Sequence, residues 1–190
     1  MNCRRNAAVI ALAALVAGGF ALVHAQNMTG PVVPAAAAES PKVLYDFSAL
    51  PDPVKRMLEQ IAGAAQSGEI EALRTVFESN ELKPMVAGEY VDDPIAFWKK
   101  DSADGSGRDV LAALLNTMSS GYVRVGQAKD EIFVFPYFAE VDLTKLTPAQ
   151  EVELYRIAPA ADVLAMKKSG KYAGYRLGIS PTGVWQYFLR

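Results

Sequence analysis

Cysteine and histidine are nearly missing from this 190-residue sequence: there is one of each, Cys3 and His24, both within the first 25 residues. Beyond residue 25 there is neither, and whole classes of chemistry go with them. Without an imidazole there is no Ser-His-Asp triad, and without a thiol no Cys-His pair and no disulfide. Zinc held by His and Cys is excluded, as is haem ligated by either. Any remaining catalysis has to use carboxylates, Lys, Tyr, Ser or a hard metal held by oxygen. Basic charge is also thin: 19 Lys and Arg face 21 Asp and Glu, with no Lys/Arg cluster. That argues against nucleic acid, whose phosphates need a basic footprint, and against docking on anionic lipid.

What is present begins with "MNCRRNAAVIALAALVAGGFALVHA", which runs from a basic start through an apolar segment to a small-residue end. This is the pattern of an export signal. Val23 and Ala25 suit a signal-peptidase pocket, so cleavage after Ala25 leaves Gln26 as the new terminus. The alternative is an uncleaved anchor, since the apolar stretch from Ala7 to Val23 approaches the roughly 18 residues that begin to span a bilayer. Gly18 and Gly19 interrupt that stretch and favour removal. A lipid-bearing cysteine would have to follow the apolar region, and Cys3 precedes it. Cleavage removes two basic residues and no acidic ones, so the formal charge of −2 becomes about −4. The protein is expected to be periplasmic or secreted, and membrane-bound only if the signal is retained.

Residues 26–42, "QNMTGPVVPAAAAESPK", are Pro/Ala-rich without periodicity and read as a linker. Residues 43–190 are expected to form a single globular domain, consistent with 51% hydrophobic and 21% charged residues. Helical spacing marks Val54, Met57, Leu58, Ile61 and Ala65 as one buried face, and Ile70, Leu73, Val76 and Phe77 as the next. Asp52-Pro53, Asp93-Pro94 and Thr147-Pro148 each place a capping residue before a proline at the first helical position. Gln150 completes a capping box with Thr147. "GYVRV" and "EIFVFPYF" alternate as strands, with Pro136 at an edge, a bulge or a strand end. "KYAGYRLGI", the turn "SPTG" and "VWQYFLR" form a second hairpin. Tyr175, Leu177 and Ile179 share a face of it, and Trp185, Tyr187 and Leu189 share another. The expected fold is α+β: an N-terminal helix pair and further short helices packed on an antiparallel sheet of about four strands.

The stretch "KKDSADGSGRDVLAALL", residues 99–115, has the acids and glycines of a ligand loop. Aligned to an EF-hand, Asp104-Gly105 puts Lys100 at the first ligand position and Leu111 at the twelfth, so the register fails. Gly105 and Gly107 lack the Lys of a P-loop. Ser106 to Asp109 fits an S-x-x-D capping box, and the stretch reads as a helix start. Lys168-Ser169-Gly170 resembles one motif of penicillin-binding enzymes, but no S-x-x-K accompanies it.

Two other groups remain. Asp130, Glu131, Glu140 and Asp142 surround the first hairpin; alternation puts Glu140 and Asp142 on one face, with Phe135, Tyr137 and Phe138 able to wall a sugar. Against that stands the simpler reading of solvated acids and core aromatics. Tyr172, Tyr175, Trp185, Tyr187 and Phe188, with Arg176 and Arg190, crowd the end of the chain as a binding surface or as core. The candidate binding residues are Tyr137, Glu140, Asp142, Trp185 and Tyr187; no catalytic residue, metal or cofactor is assigned.

The block from "DPIAFWKK" through "IFVFPYFAEVDLTKLTPAQEVELYRI" to "YRLGISPTGVWQYF" resembles a group of small exported proteins of alphaproteobacteria. The resemblance covers about residues 90–190 and implies envelope location and a bacterial origin, but no biochemistry. "AAQSGEIEALRTVF" is similar to the second helix of the NTF2-like fold, which implies an early helix pair and a curved sheet around a pocket; the helices between the two hairpins depart from that pattern. The leading expectation is a non-catalytic binding or interaction module for an envelope protein or small ligand. The alternative is a small-molecule-binding or carboxylate-dependent hydrolytic domain with a pocket between sheet and helices.

Overall fold

A computed structural model describes residues 40–190. The expected signal, its cleavage point and the linker up to residue 39 lie outside the described residues. The fold is α+β, with six α-helices and a four-stranded antiparallel sheet among the described residues. Its helices are α1 (Asp52–Gln66), α2 (Leu73–Ser79), α3 (Pro94–Asp101), α4 (Arg108–Met118), α5 (Pro148–Ile157) and α6 (Ala160–Ser169). Its strands are β1 (Val123–Val125), β2 (Ile132–Phe135), β3 (Arg176–Ile179) and β4 (Trp185–Leu189), ordered as they occur along the chain.

The local chemistry explains most helix starts. Asp93 caps α3 by accepting from the backbone N–H of Ile95 and Ala96, and this holds its carboxyl below the usual range. Thr147 and Gln150 form the reciprocal capping box of α5. Two starts differ from expectation. Asp52 is the first residue of α1, where it pairs with Lys55 at 2.7 Å and makes no capping bond. The start of α4 falls where Ser106 to Asp109 placed it, but the S-x-x-D box is not made. Gly107 occupies the cap position with φ +76°, and the Asp109 carboxylate turns back to accept from the Ser102 hydroxyl at 2.5 Å. The preceding loop is tied by Asp104, which accepts from the N–H and hydroxyl of Ser106. Acids and glycines here build a turn.

Both faces of the sheet are buried. On one, Phe133, Phe135, Leu177, Ile179, Trp185 and Phe188 pack with the apolar faces of α1 to α4. On the other, Val123 and Val134 pack with Tyr137, Phe138 and Leu143 and with Leu154, Val163 and Met166 of α5 and α6. The two faces follow from the registers Val123↔Val134, Phe133↔Ile179 and Leu177↔Phe188. A bulge breaks the alternation of β4: Ile179 opposes Trp185 while Gly178 opposes Tyr187, so Gln186 has no opposite residue. Trp185 and Phe188 therefore share the face covered by α1 to α4 and Tyr187 turns to the other. Simple alternation had put Trp185 with Tyr187, because parity alone does not reveal a bulge.

Pro136 ends β2. Other segments meet the sheet at both edges, just before β1 and along β4. Leu44 exchanges two backbone bonds of 2.8 Å with Tyr122 beside β1. At β4 the Asn80 side chain accepts from the Trp185 N–H and donates to its carbonyl, and Met85 bonds Gln186 and Phe188. No helix among the described residues is long and apolar enough to cross a membrane.

Two glycines of opposite meaning give a test. Gly183 has φ +86°, and an added Cβ would sit 2.6 Å from the Pro53 carbonyl oxygen, so the turn is pressed against the start of α1. Gly63 lies inside α1 with nothing within 4 Å of such a Cβ. Denaturant unfolding should show Gly183→Ala less stable by about 1–3 kcal/mol and Gly63→Ala more stable by about 0.5–1 kcal/mol.

Candidate functional site

The five candidate residues are dispersed. Tyr137 and Trp185 are both fully buried, in the cores on opposite faces of the sheet, so neither offers a surface to a ligand. Glu140 is exposed just after the 3-10 turn Tyr137–Ala139. Asp142 caps the next turn, Leu143–Lys145, by accepting from the N–H and hydroxyl of Thr144, and these bonds hold its carboxyl below the usual range. Tyr187 is half-buried over Gly178; burial chiefly, then the Glu140 charge, pushes its phenol up to about 12. Of the other hairpin acids, Glu131 takes an ion pair with Arg124 at 2.7 Å. None of these acids lines the hollows described below, where glycoside hydrolysis would need a carboxylate pair to flank a cleft. Aromatic spacing had suggested a sugar wall; Phe135, Tyr137 and Phe138 are instead core.

The larger concavity lies elsewhere. A half-open groove of about 680 Å³ runs between α4 and α6. Asp109, Ala112, Ala113, Asn116 and Thr117 form one wall, the i, i+3, i+4, i+7, i+8 face of α4. Asp162, Ala165, Met166 and Ser169 form the other, the same spacing on α6, and the end of α5 closes one side with Ile157 and Ala158. Small side chains on both helices leave the space open. The floor is the connection between α6 and β3, with Tyr172, Gly174 and Tyr175.

The two tyrosines hold that floor to the two cores. Tyr172 stacks on Phe138 of the second core at 6.2 Å and donates to the Tyr175 carbonyl at 3.3 Å. Tyr175 stacks almost parallel on Phe188 of the first core, 4.7 Å between ring centres. The groove thus sits where the chain crosses from one face of the sheet to the other. Burial pushes the Tyr172 phenol up to about 12. It also raises that of Tyr175, where the Asp101 carboxylate adds to the shift and Arg190 opposes it.

A smaller hollow of about 340 Å³ adjoins the groove, lined by Val86, Phe97, Trp98, Asp101 and Leu189 and sharing Tyr175 and Arg190 with it. The two are lobes of one trough hinged on these two residues. Three residues of the aromatic chain end, Tyr172, Tyr175 and Arg190, were visible as a group in the sequence. The helix walls were not; the available signal was alanine at helical spacing on α4 and α6. Hydroxyls in the groove already serve the fold: Thr117 donates to the Ala113 carbonyl at 2.7 Å and Ser169 to that of Met166 at 3.0 Å. Among the described residues no group of three Asp or Glu could hold a metal ion.

Comparisons with protein families, with curated proteins and with solved structures found no match to this chain.

The buried phenols set an alkaline limit. A phenol whose pKa is raised on folding contributes stability that is fully present below its unfolded value near 10 and is lost as pH rises through its folded value. Thermal unfolding should show stability falling from about pH 10 towards pH 12, and Tyr172→Phe should make that fall shallower. An unchanged slope in Tyr172→Phe would show that the floor of the groove is open to water.

Proposed function

We propose that the chain is an exported, non-catalytic binding module that works in the bacterial periplasm and takes its ligand or partner in the groove between α4 and α6. The groove itself carries this reading. Its volume lies within the range of about 300–1,000 Å³ typical of ligand sites, and its lining is apolar with a few polar groups. It is preformed, since Tyr172 and Tyr175 are stacked on the two cores and cannot swing away cheaply. Of its polar groups the Thr117 and Ser169 hydroxyls and the Asp109 carboxylate are engaged by the fold, which leaves Asn116, Asp162 and Arg190 to orient what binds. Export rests on the N-terminal pattern of basic start, apolar segment and small-residue end, and on the resemblance to small exported proteins.

The test uses Nile red, a neutral apolar dye, with the chain beginning at Gln26. Saturable binding with blue-shifted emission is expected. Ala165→Trp, which fills the groove from the α6 wall, should weaken it at least about tenfold. Leu164→Trp, at an exposed position on the opposite side of the same helix and outside the lining, should leave it unchanged. Equal binding by Ala165→Trp with its circular dichroism intact, or no saturable binding by the parent, would remove the groove as the site.

A further inference from the structure

The trough has a charge as well as a shape. Asp101 lines the smaller lobe, Asp109 and Asp162 line the larger, and Arg190 between them is the single base among the lining residues. Asp109 is engaged, accepting from Ser102. Asp101 and Asp162 are exposed and, among the described residues, have no base within ion-pair distance. Asp162 lies in the first turn of α6, where the helix dipole favours an acid. Asp101 ends α3, where the dipole disfavours one, so local helix chemistry does not account for it. It lines the smaller lobe beside Tyr175, whose phenol is raised by burial first and by the Asp101 charge second.

The walls say what kind of body fits. Each is one face of a helix whose alanines permit close approach, the geometry that receives a third helix by its i, i+3, i+4, i+7 stripe. The groove offers helix faces and no strand edge, and the β4 edge is met by Asn80 and Met85. Resting on the groove as the binding site, we infer that its occupant is an amphipathic helix of a partner protein, apolar on the face between α4 and α6 and carrying Lys or Arg beside it to meet Asp101 and Asp162. The apolar stripe supplies affinity; the carboxylates orient the helix and select against acidic partners.

The probe is a synthetic helical peptide about four turns long with leucine on one stripe and lysine beside it, compared with the same peptide bearing glutamate for lysine. Fluorescence anisotropy should show binding of the lysine peptide that falls with added salt, and none of the glutamate peptide. The double variant Asp101→Asn/Asp162→Asn should bind it about fivefold more weakly, the scale of two exposed charge contacts. Glu59→Gln/Glu81→Gln removes the same charge from outside both lobes and should change binding less than about 1.5-fold. Equal losses in the two double variants, equal binding of the glutamate peptide, or peptide binding untouched by Ala165→Trp would each overturn the basic helix while Nile red binding kept the groove. Sedimentation showing a dimer abolished by Ala165→Trp would give the groove to a second copy and overturn it too. Loss of the dye site would strike the groove itself.

Discussion

A run of aromatic rings in contact ties α2, α3 and β4 to Tyr175 in the floor of the groove. Trp98 of α3 stacks on Trp185 of β4 at 6.3 Å, with Phe77 of α2 against both, and Trp98 meets Phe188 edge-on at 6.0 Å. Phe188 then carries Tyr175. Such contacts contribute about 0.5–1.5 kcal/mol each beyond their buried area. Removing one large core ring costs about 3–5 kcal/mol, a large share of the 5–15 kcal/mol typical of a domain. The bulge at Gln186 is what lets Trp185 and Phe188 lie on the same face, so the aromatic run depends on one unpaired residue of β4.

The second core makes the opposite wall. Phe138 supports Tyr172, and the 3-10 turn Leu143–Lys145 is bonded to the end of α6 through the Leu143 N–H and the Gly170 carbonyl. α6 is positioned by Val163 and Met166, the buried members of its inward face, while Asp162 and Ala165 beside them line the groove. α4 is divided in the same way: Val110, Leu111 and Leu114 are core, and Ala112, Ala113 and Asn116 face the opening. Each helix therefore serves folding with one stripe and leaves a neighbouring stripe of small residues uncovered. The groove lies between two such stripes because α4 packs on one face of the sheet and α6 on the other, with the connection from α6 to β3 between them.

What was legible in the sequence was the chemistry that acts within a few residues. Asp93-Pro94, Thr147-Pro148 with Gln150, and the Ser180-Pro181-Thr182-Gly183 turn behave as their residue types require, and the helical stripes of α1 and α2 are core as their spacing implied. The α4 cap was half legible: Gly107 took the left-handed position, which left Ser106 unable to close the box with Asp109. The β4 faces were misread because a bulge is decided by the partner strand. The candidate site was the least legible part. Tyr137 and Trp185 have the composition of a binding surface and the burial of a core, and only the fold distinguishes these. The groove arises from helices separated along the chain by both hairpin strands and α5, and alanine at helical spacing carries little signal until a second such helix is set opposite.

The most direct single measurement is native mass spectrometry of the untagged protein isolated from the envelope fraction of the cell that makes it. A chain beginning at Gln26 and carrying one basic polypeptide in defined stoichiometry, lost on substitution of Ala165 by Trp, is the expected result. A chain that keeps residues 1–25, or a mature chain whose bound mass survives that substitution, would contradict the exported groove-binding module.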